Sequence, residues 1–270
     1  MELGVIINLM EHPEEEFRKV NEFGFRTCQV NGWNQDLFTE EIANRVIASC
    51  QKYRVQITSF WCGWEGPAQW NFTEGPLTLG LVPPAFRHER LKMLMKGVDF
   101  AVSIGAPSLT THVGFIPENP NDPEYQNLLV TLRHLVRYCC RKDIWFLFET
   151  GQETPVTLLR TIEGIGLDHV GINLDPANLI LYGKANPVDA LEIFGKYVKG
   201  VHAKDGLYPT SGASLGEEVR LGEGRVNFPA LISRLKELGY SGSLTIEREI
   251  SGEQQIQDIL AAKKFLEALI

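Results

Sequence analysis

Trp145-Phe146-Leu147-Phe148-Glu149-Thr150 is a short apolar run that stops on a carboxylate. A run of this length and content suits a strand buried on both faces. Three later runs repeat its form. Val170–Asp175 passes through Ile172-Asn173-Leu174 to stop at Asp175, Val198–Lys204 passes through Gly200-Val201 to His202, and Ser243–Glu249 passes through Leu244-Thr245-Ile246 to Glu247. Upstream, Leu3–Leu9, Thr27–Asn31, Gln56–Cys62 and Ser108–Val113 bring the number of strand candidates to eight. Strands that alternate with helical stretches indicate βα units and a parallel sheet. Eight units in 270 residues predict an α/β fold, a (β/α)8 TIM barrel with residues 1–270 as one domain.

The helical stretches carry their own signals. After Asp122, the residues Leu128, Leu129, Leu132, Leu135, Val136 and Cys139 form one apolar stripe at spacings of three and four. Asn227 is placed as an N-cap with Pro229 in the first turn, ahead of Phe228, Leu231, Leu235 and Leu238; a last helix is expected from about Glu253 to Leu269. Helix-to-strand turns are short and glycine-marked, as in Phe23-Gly24-Phe25, Ile104-Gly105-Ala106 and Leu238-Gly239-Tyr240. Strand-to-helix loops are longer, notably Gly63–Pro83 and Gly206–Val226, and in barrels these loops build the active face. A doubly wound open sheet would carry a glycine-rich phosphate turn after its first strand, and Asn8-Leu9-Met10-Glu11-His12 is not one.

Composition narrows the classes. A net charge of −8 with no basic stripe argues against a nucleic-acid surface. The five cysteines, Cys28, Cys50, Cys62, Cys139 and Cys140, have no Cys-x-x-Cys spacing; they fit a reducing compartment and argue against a thiolate zinc site. No basic leader opens the chain, and no apolar run reaches the ~18–20 residues that span a bilayer. A cytoplasmic protein without membrane partners is expected, with a homo-oligomer left open.

Glu149, Asp175, His202 and Glu247 then stand at the ends of four successive strands. Strands lie ~4.8 Å apart, so the outer two are ~14 Å apart along the arc and closer across the barrel. A single acidic strand end is usually a helix cap or an ion-pair partner. Four such residues on successive strands are harder to explain that way, because their unpaired buried carboxylates would repel one another without a cation. Three carboxylates and an imidazole favour one divalent ion, Mn2+ first, with Mg2+, Co2+ or Zn2+ as alternatives, over copper or an iron–sulfur centre. His112, in Leu109-Thr110-Thr111-His112, is a candidate substrate contact or proton shuttle, and equally a structural histidine. Lys204 could meet a substrate oxygen or make a surface salt bridge. Trp61, Trp64 and Trp70 lie in or beside the third βα loop, where they could stack on a sugar or simply pack the loop. Gly222-Glu223-Gly224-Arg225 is too short to be a phosphate motif by itself.

Phe148-Glu149-Thr150-Gly151-Gln152-Glu153, Asn173-Leu174-Asp175-Pro176-Ala177-Asn178, Val201-His202-Ala203-Lys204-Asp205 and Gly222-Glu223-Gly224-Arg225-Val226 resemble, in order, the xylose-isomerase-like sugar isomerase/epimerase superfamily. The resemblance implies a barrel whose metal ligands are Glu149, Asp175, His202 and Glu247. It implies a carbohydrate substrate and proton transfer beside a carbonyl through a metal-stabilised enediolate, with Glu149 and Glu247 as acid and base. Trp61, His112, Glu153, Asn178 and Lys204 are the candidate substrate contacts. Ketohexose 3-epimerases of the group usually carry a histidine where this chain has Asn178 and an arginine where it has Tyr208. A dehydratase of the inosose type is the alternative, with His112 as leaving-group acid. A non-catalytic sugar-binding barrel ranks lower. The superfamily's endonucleases use extra histidines that this chain lacks.

Overall fold

The computed structural model describes residues 1–270. Eight parallel strands close into a barrel: β1 (Glu2–Asn8), β2 (Thr27–Gly32), β3 (Gln56–Cys62), β4 (Ser108–Thr111), β5 (Trp145–Glu149), β6 (Val170–Leu174), β7 (Val198–Ala203) and β8 (Ser243–Ile246). Each pairs with its sequence neighbour, and β1 pairs with β8 from Glu2↔Ser243 to Val5↔Ile246 to close the ring. A short antiparallel pair, Asp205–Gly206 with Glu218–Val219, lies apart from the barrel in the loop after β7.

The expected strands are all present, with ends corrected by one to three residues. Strand β4 stops at Thr111, before His112 and Val113; β6 stops at Leu174; β7 stops at Ala203; and β8 stops at Ile246 rather than Glu249. The physical reason is clearest at Asp175. Its side chain accepts a hydrogen bond from Asn178 N at 2.9 Å and caps the helix Pro176–Leu181, so it has already left the ladder. Asp122 and Asn227 cap the helices Pro123–Arg141 and Phe228–Glu237 in the same way. No helix is long and apolar enough to cross a membrane.

Most of the apolar core, 61 buried residues, forms one continuous cluster. Polar groups mark a different region, where they bond from strand to strand: Thr27 to Ser243 at 3.1 Å, Ser59 to Thr110 at 2.7 Å and Gln29 to Asn173 at 2.9 Å. Buried polar atoms must find partners, and here they find them across strands. Register shifts fall at Cys28/Gln29 in β2 and at Ile172/Asn173 in β6. Such irregularities re-aim side chains, and these two positions supply the Gln29–Asn173 pair beneath the site.

Candidate metal centre

The strand ends of β5 to β8 bring Glu149, Asp175, His202 and Glu247 together. One ligand atom from each lies within 4.8 Å of all the others. His202 Nδ1 sits 3.2 Å from Glu149 Oε1, 3.2 Å from Glu247 Oε2 and 3.8 Å from Asp175 Oδ2. Neighbouring ligands of an octahedral cation with bonds of ~2.1 Å sit about 3 Å apart, so the spacing suits a small divalent ion. His202 Nδ1, Asp175 Oδ2 and Glu247 Oε2 are buried atoms with no hydrogen-bond partner. Only Lys204 Nζ, 3.4 Å from Glu247 Oε2 and 3.6 Å from Asp175 Oδ2, offsets the two oxygens, and a divalent cation at their meeting point would satisfy all three atoms. The residues fit a divalent metal.

The second layer fixes the histidine. His202 Nε2 lies 2.8 Å from Gln29 Oε1, and Gln29 Nε2 donates to Asn173 Oδ1 at 2.9 Å. With the Gln29 amide oxygen toward the ring, Nε2 carries a proton and Nδ1 faces the carboxylates, where it would turn its lone pair to a bound metal. Gln29 escaped the sequence reading.

Charge is unevenly shared. Burial alone would push the Glu149 carboxyl up, but the imidazoles of His112 and His202 outweigh it and hold Glu149 below the ordinary carboxylate range. Burial acts on Glu247 too, and Lys204 and His202 hold that carboxyl low. Burial prevails at Asp175 and raises it against the pull of Lys204. The His202 ring, which burial would make less basic, is made far more so by Glu247 and Glu149.

A cavity of about 370 Å3 opens over this cage. Of the four cage residues, Glu149 and Glu247 border it; Asp175 and His202 do not. Among the expected substrate contacts, Trp61, His112 and Asn178 reach the cavity. Trp61 Nε1 donates to Glu149 Oε2, Asn178 Nδ2 to Glu149 Oε1 at 3.4 Å, and His112 Nε2 lies 3.6 Å from that same oxygen. Glu153 does not border it. Four positions beyond the metal-facing Glu149, it is buried, its Oε1 unpartnered, and burial pushes its carboxyl up to about 8. Lys204 is also off the cavity wall. Its ammonium is wedged between Glu249 (3.1 Å), Glu247 (3.4 Å) and Asp175 (3.6 Å), a buried network instead of the surface salt bridge considered above.

Several wall residues carried no sequence signal: Trp33 after β2, Tyr182 and Glu249. Trp33, Trp61, Trp64 and Trp70 form one group, with ring centroids 5.1–6.4 Å apart along the chain of contacts. Trp70 also meets His112 at 5.2 Å. Behind the wall, the buried guanidinium of Arg90 lies 5.2 Å from the Trp64 ring and donates to the carbonyls of Pro67, Thr78 and Gly80 at 2.7–2.8 Å. This clasp holds the Gly63–Pro83 loop upright.

The Gly222–Val226 stretch has a separate task. Asp205 Oδ1 accepts from Gly206 N and Val226 N, and Oδ2 from Gly222 N and Gly224 N, all at 2.9–3.0 Å. A Cβ on Gly224 would lie 2.0 Å from Asp205 Oδ1, so glycine is required there. The motif is an amide nest around the chain's own carboxylate.

These features define a (β/α)8 barrel with a cluster of three carboxylates and one imidazole, able to hold a metal ion, at the C-terminal ends of its strands. The chain belongs to the xylose isomerase-like TIM barrel family, which it matches over residues 17–269. A crystal structure of a xylose isomerase domain protein from Planctomyces limnophilus is 35% identical, with 99% of this chain and 96% of that one aligned at a TM-score of 0.93. An uncharacterized protein of Methanocaldococcus jannaschii is 27% identical over 199 residues, 68% of this chain and 64% of that relative's length. The fold is also shared with a 3-keto-D-glucoside 4-epimerase from E. coli (18% identity, 99% of both chains, TM-score 0.75). A probable 3-DHS dehydratase from Bacillus anthracis shares it as well (18% identity, 99% of both chains, TM-score 0.70).

Proposed function

We propose that this protein is a divalent-metal-dependent isomerase or epimerase of a sugar, keto-sugar or polyol derivative. The observation that carries the reading is the division within the cage. Glu149 and Glu247 face the cavity, whereas Asp175 and His202 stay beneath it. Held by these four residues, with Mn2+ the preferred ion, the metal would supply stabilisation for negative charge growing on substrate oxygens.

The rest falls to side chains. Glu149 and Glu247 flank the His202 ring at 3.2 Å each, and both are held in the ionised range. One carboxylate takes a proton from the carbon next to the carbonyl; the other, after taking up a proton from solvent, returns one to the enediolate, and the first then releases its proton to water. Return to the opposite face of the same carbon is epimerisation; return to the neighbouring carbon is isomerisation. Trp61 and Asn178 hold Glu149 in place through their N–H groups. The test is Mn2+-loaded protein incubated in D2O with keto-sugars. Deuterium should enter one substrate carbon; no label in any of them overturns the reading.

A lyase is the second reading, favoured by His112. Its Nδ1 is buried without a partner, and the residue borders the cavity beside Glu149. From that place on the wall the ring would protonate a departing hydroxyl. An unsaturated product, instead of a stereoisomer, would select this reading.

A further inference from the structure

We propose that the cavity is built for an uncharged sugar, one bearing neither phosphate nor carboxylate, whose ring lies against the tryptophan wall. The inference rests on the sugar chemistry proposed above and narrows its substrate class.

Charge at the wall supports it first. The charged residues bordering the cavity are Glu149, Glu247 and Glu249, and neither lysine nor arginine is among its 13 lining residues. A divalent cation would offset two of the three ligand carboxylates. Lys204 is already committed to Glu249, Glu247 and Asp175. An anionic substituent would therefore enter a site with no spare positive charge, at a Coulombic cost that grows as water is excluded.

The usual phosphate cradle is also filled. Barrels commonly bind phosphate on backbone amides of the loops after strands seven and eight. In this chain the amides of Gly206, Gly222, Gly224 and Val226 all point at the Asp205 carboxylate. The last helix, Glu253–Glu267, opens with a glutamate in its first turn, which repels an anion there. The nearby cations are engaged or turned away. Arg220 and Arg248 each bind Asp258 at 2.9 Å, Arg90 binds loop carbonyls, Lys184 lies over the Phe115 ring, and Arg225 is exposed off the wall.

The wall offers a neutral ring what it needs. Trp33 and Trp70 border the cavity yet remain 38% and 40% exposed, so apolar ring surface is left uncovered at the mouth. The C–H face of a sugar can cover it. Hydroxyl groups would meet the polar side chains on the cavity wall, Asn31, His112 and Asn178.

The experiment titrates Mn2+-loaded full-length protein with D-fructose, D-tagatose and methyl β-D-glucopyranoside, and separately with fructose 6-phosphate and glucose 6-phosphate. Tryptophan fluorescence is the readout. At least one free sugar should give a saturable change, with its phosphate bound at least about tenfold more weakly. Trp70→Leu should weaken the free sugar roughly tenfold, while Trp70→Phe keeps most of the affinity. Mn2+ titration of both variants verifies that the cage still forms. Equal or tighter binding of a phosphate overturns the proposal, as does no saturable change with any free sugar, or a Trp70→Leu protein that binds like the parent. Binding of a free sugar without deuterium uptake removes the proton-transfer reading and leaves this one. Deuterium uptake into a sugar phosphate but not its free sugar does the reverse.

Discussion

Asp175 and Asp205 are buried carboxylates that follow adjacent strands, and they have opposite fates. Asp205 accepts four backbone N–H bonds, two on each oxygen. Asp175 spends one oxygen capping a helix and leaves Oδ2 with no hydrogen bond, facing His202 Nδ1 at 3.8 Å. A carboxylate fully met by amides is a structural pin. One left half-met, with only Lys204 Nζ at 3.6 Å from its free oxygen, is able to take a metal ion. Residue type alone separates neither role; satisfaction does.

The largest expected effect lies on the unsatisfied side. Glu149→Gln and Glu247→Gln should each slow deuterium exchange by about 10²- to 10⁴-fold, the usual worth of a general acid or base. Circular dichroism and the unfolding midpoint of the metal-free protein should stay near the parent's. An exchange rate within about threefold of the parent for either variant would end the assignment of that glutamate.

Next comes the direct contrast. Asp205→Asn puts an NH2 group against N–H donors and should cost about 2–4 kcal/mol in urea unfolding of the metal-free protein. Asp175→Asn keeps a capping oxygen and should cost less than about 1 kcal/mol in the same assay. Calorimetric titration with Mn2+ should invert the ranking, with Asp175→Asn the more damaged. If both variants lose the same stability without metal, the distinction drawn between the two aspartates fails.

Smallest is the supporting layer. Gln29→Leu removes the acceptor for His202 Nε2–H and should weaken Mn2+ binding about 10- to 100-fold by calorimetry. Unchanged affinity would mean that the ring is held by packing alone.

Much of this was legible before any coordinates. Strand–helix alternation survives in sequence because the two periods differ, and four metal-type residues on four successive strand ends are hard to produce otherwise. Gln29 was not legible. A polar residue inside a strand has the same local pattern whatever it faces, and its meaning comes from His202, 173 positions away. Trp33 and Tyr182 were silent for the same reason, since each joins the wall through contacts from other strands. Glu153 and Lys204 stand near the ligand positions in sequence but do not border the cavity, and Lys204 is paired with Glu249 at 3.1 Å. The short Gly222–Arg225 motif gave no sign of its partner, Asp205, whose carboxylate its amides meet.

Arg90's hydrogen bonds to the Gly63–Pro83 loop all go to carbonyl oxygens. Every amino acid supplies that oxygen, so these bonds do not depend on what side chain Pro67 or Thr78 carries. Positions of the loop outside Trp64, which stacks on Arg90, and Gly80, which has no room for a Cβ, can then change while its course over the barrel is kept. The scaffold thus separates the inheritance of a shape from the inheritance of a preference. A library randomised at Trp70 and its neighbours, with Arg90 left alone, would be a direct way to turn this barrel toward new substrates.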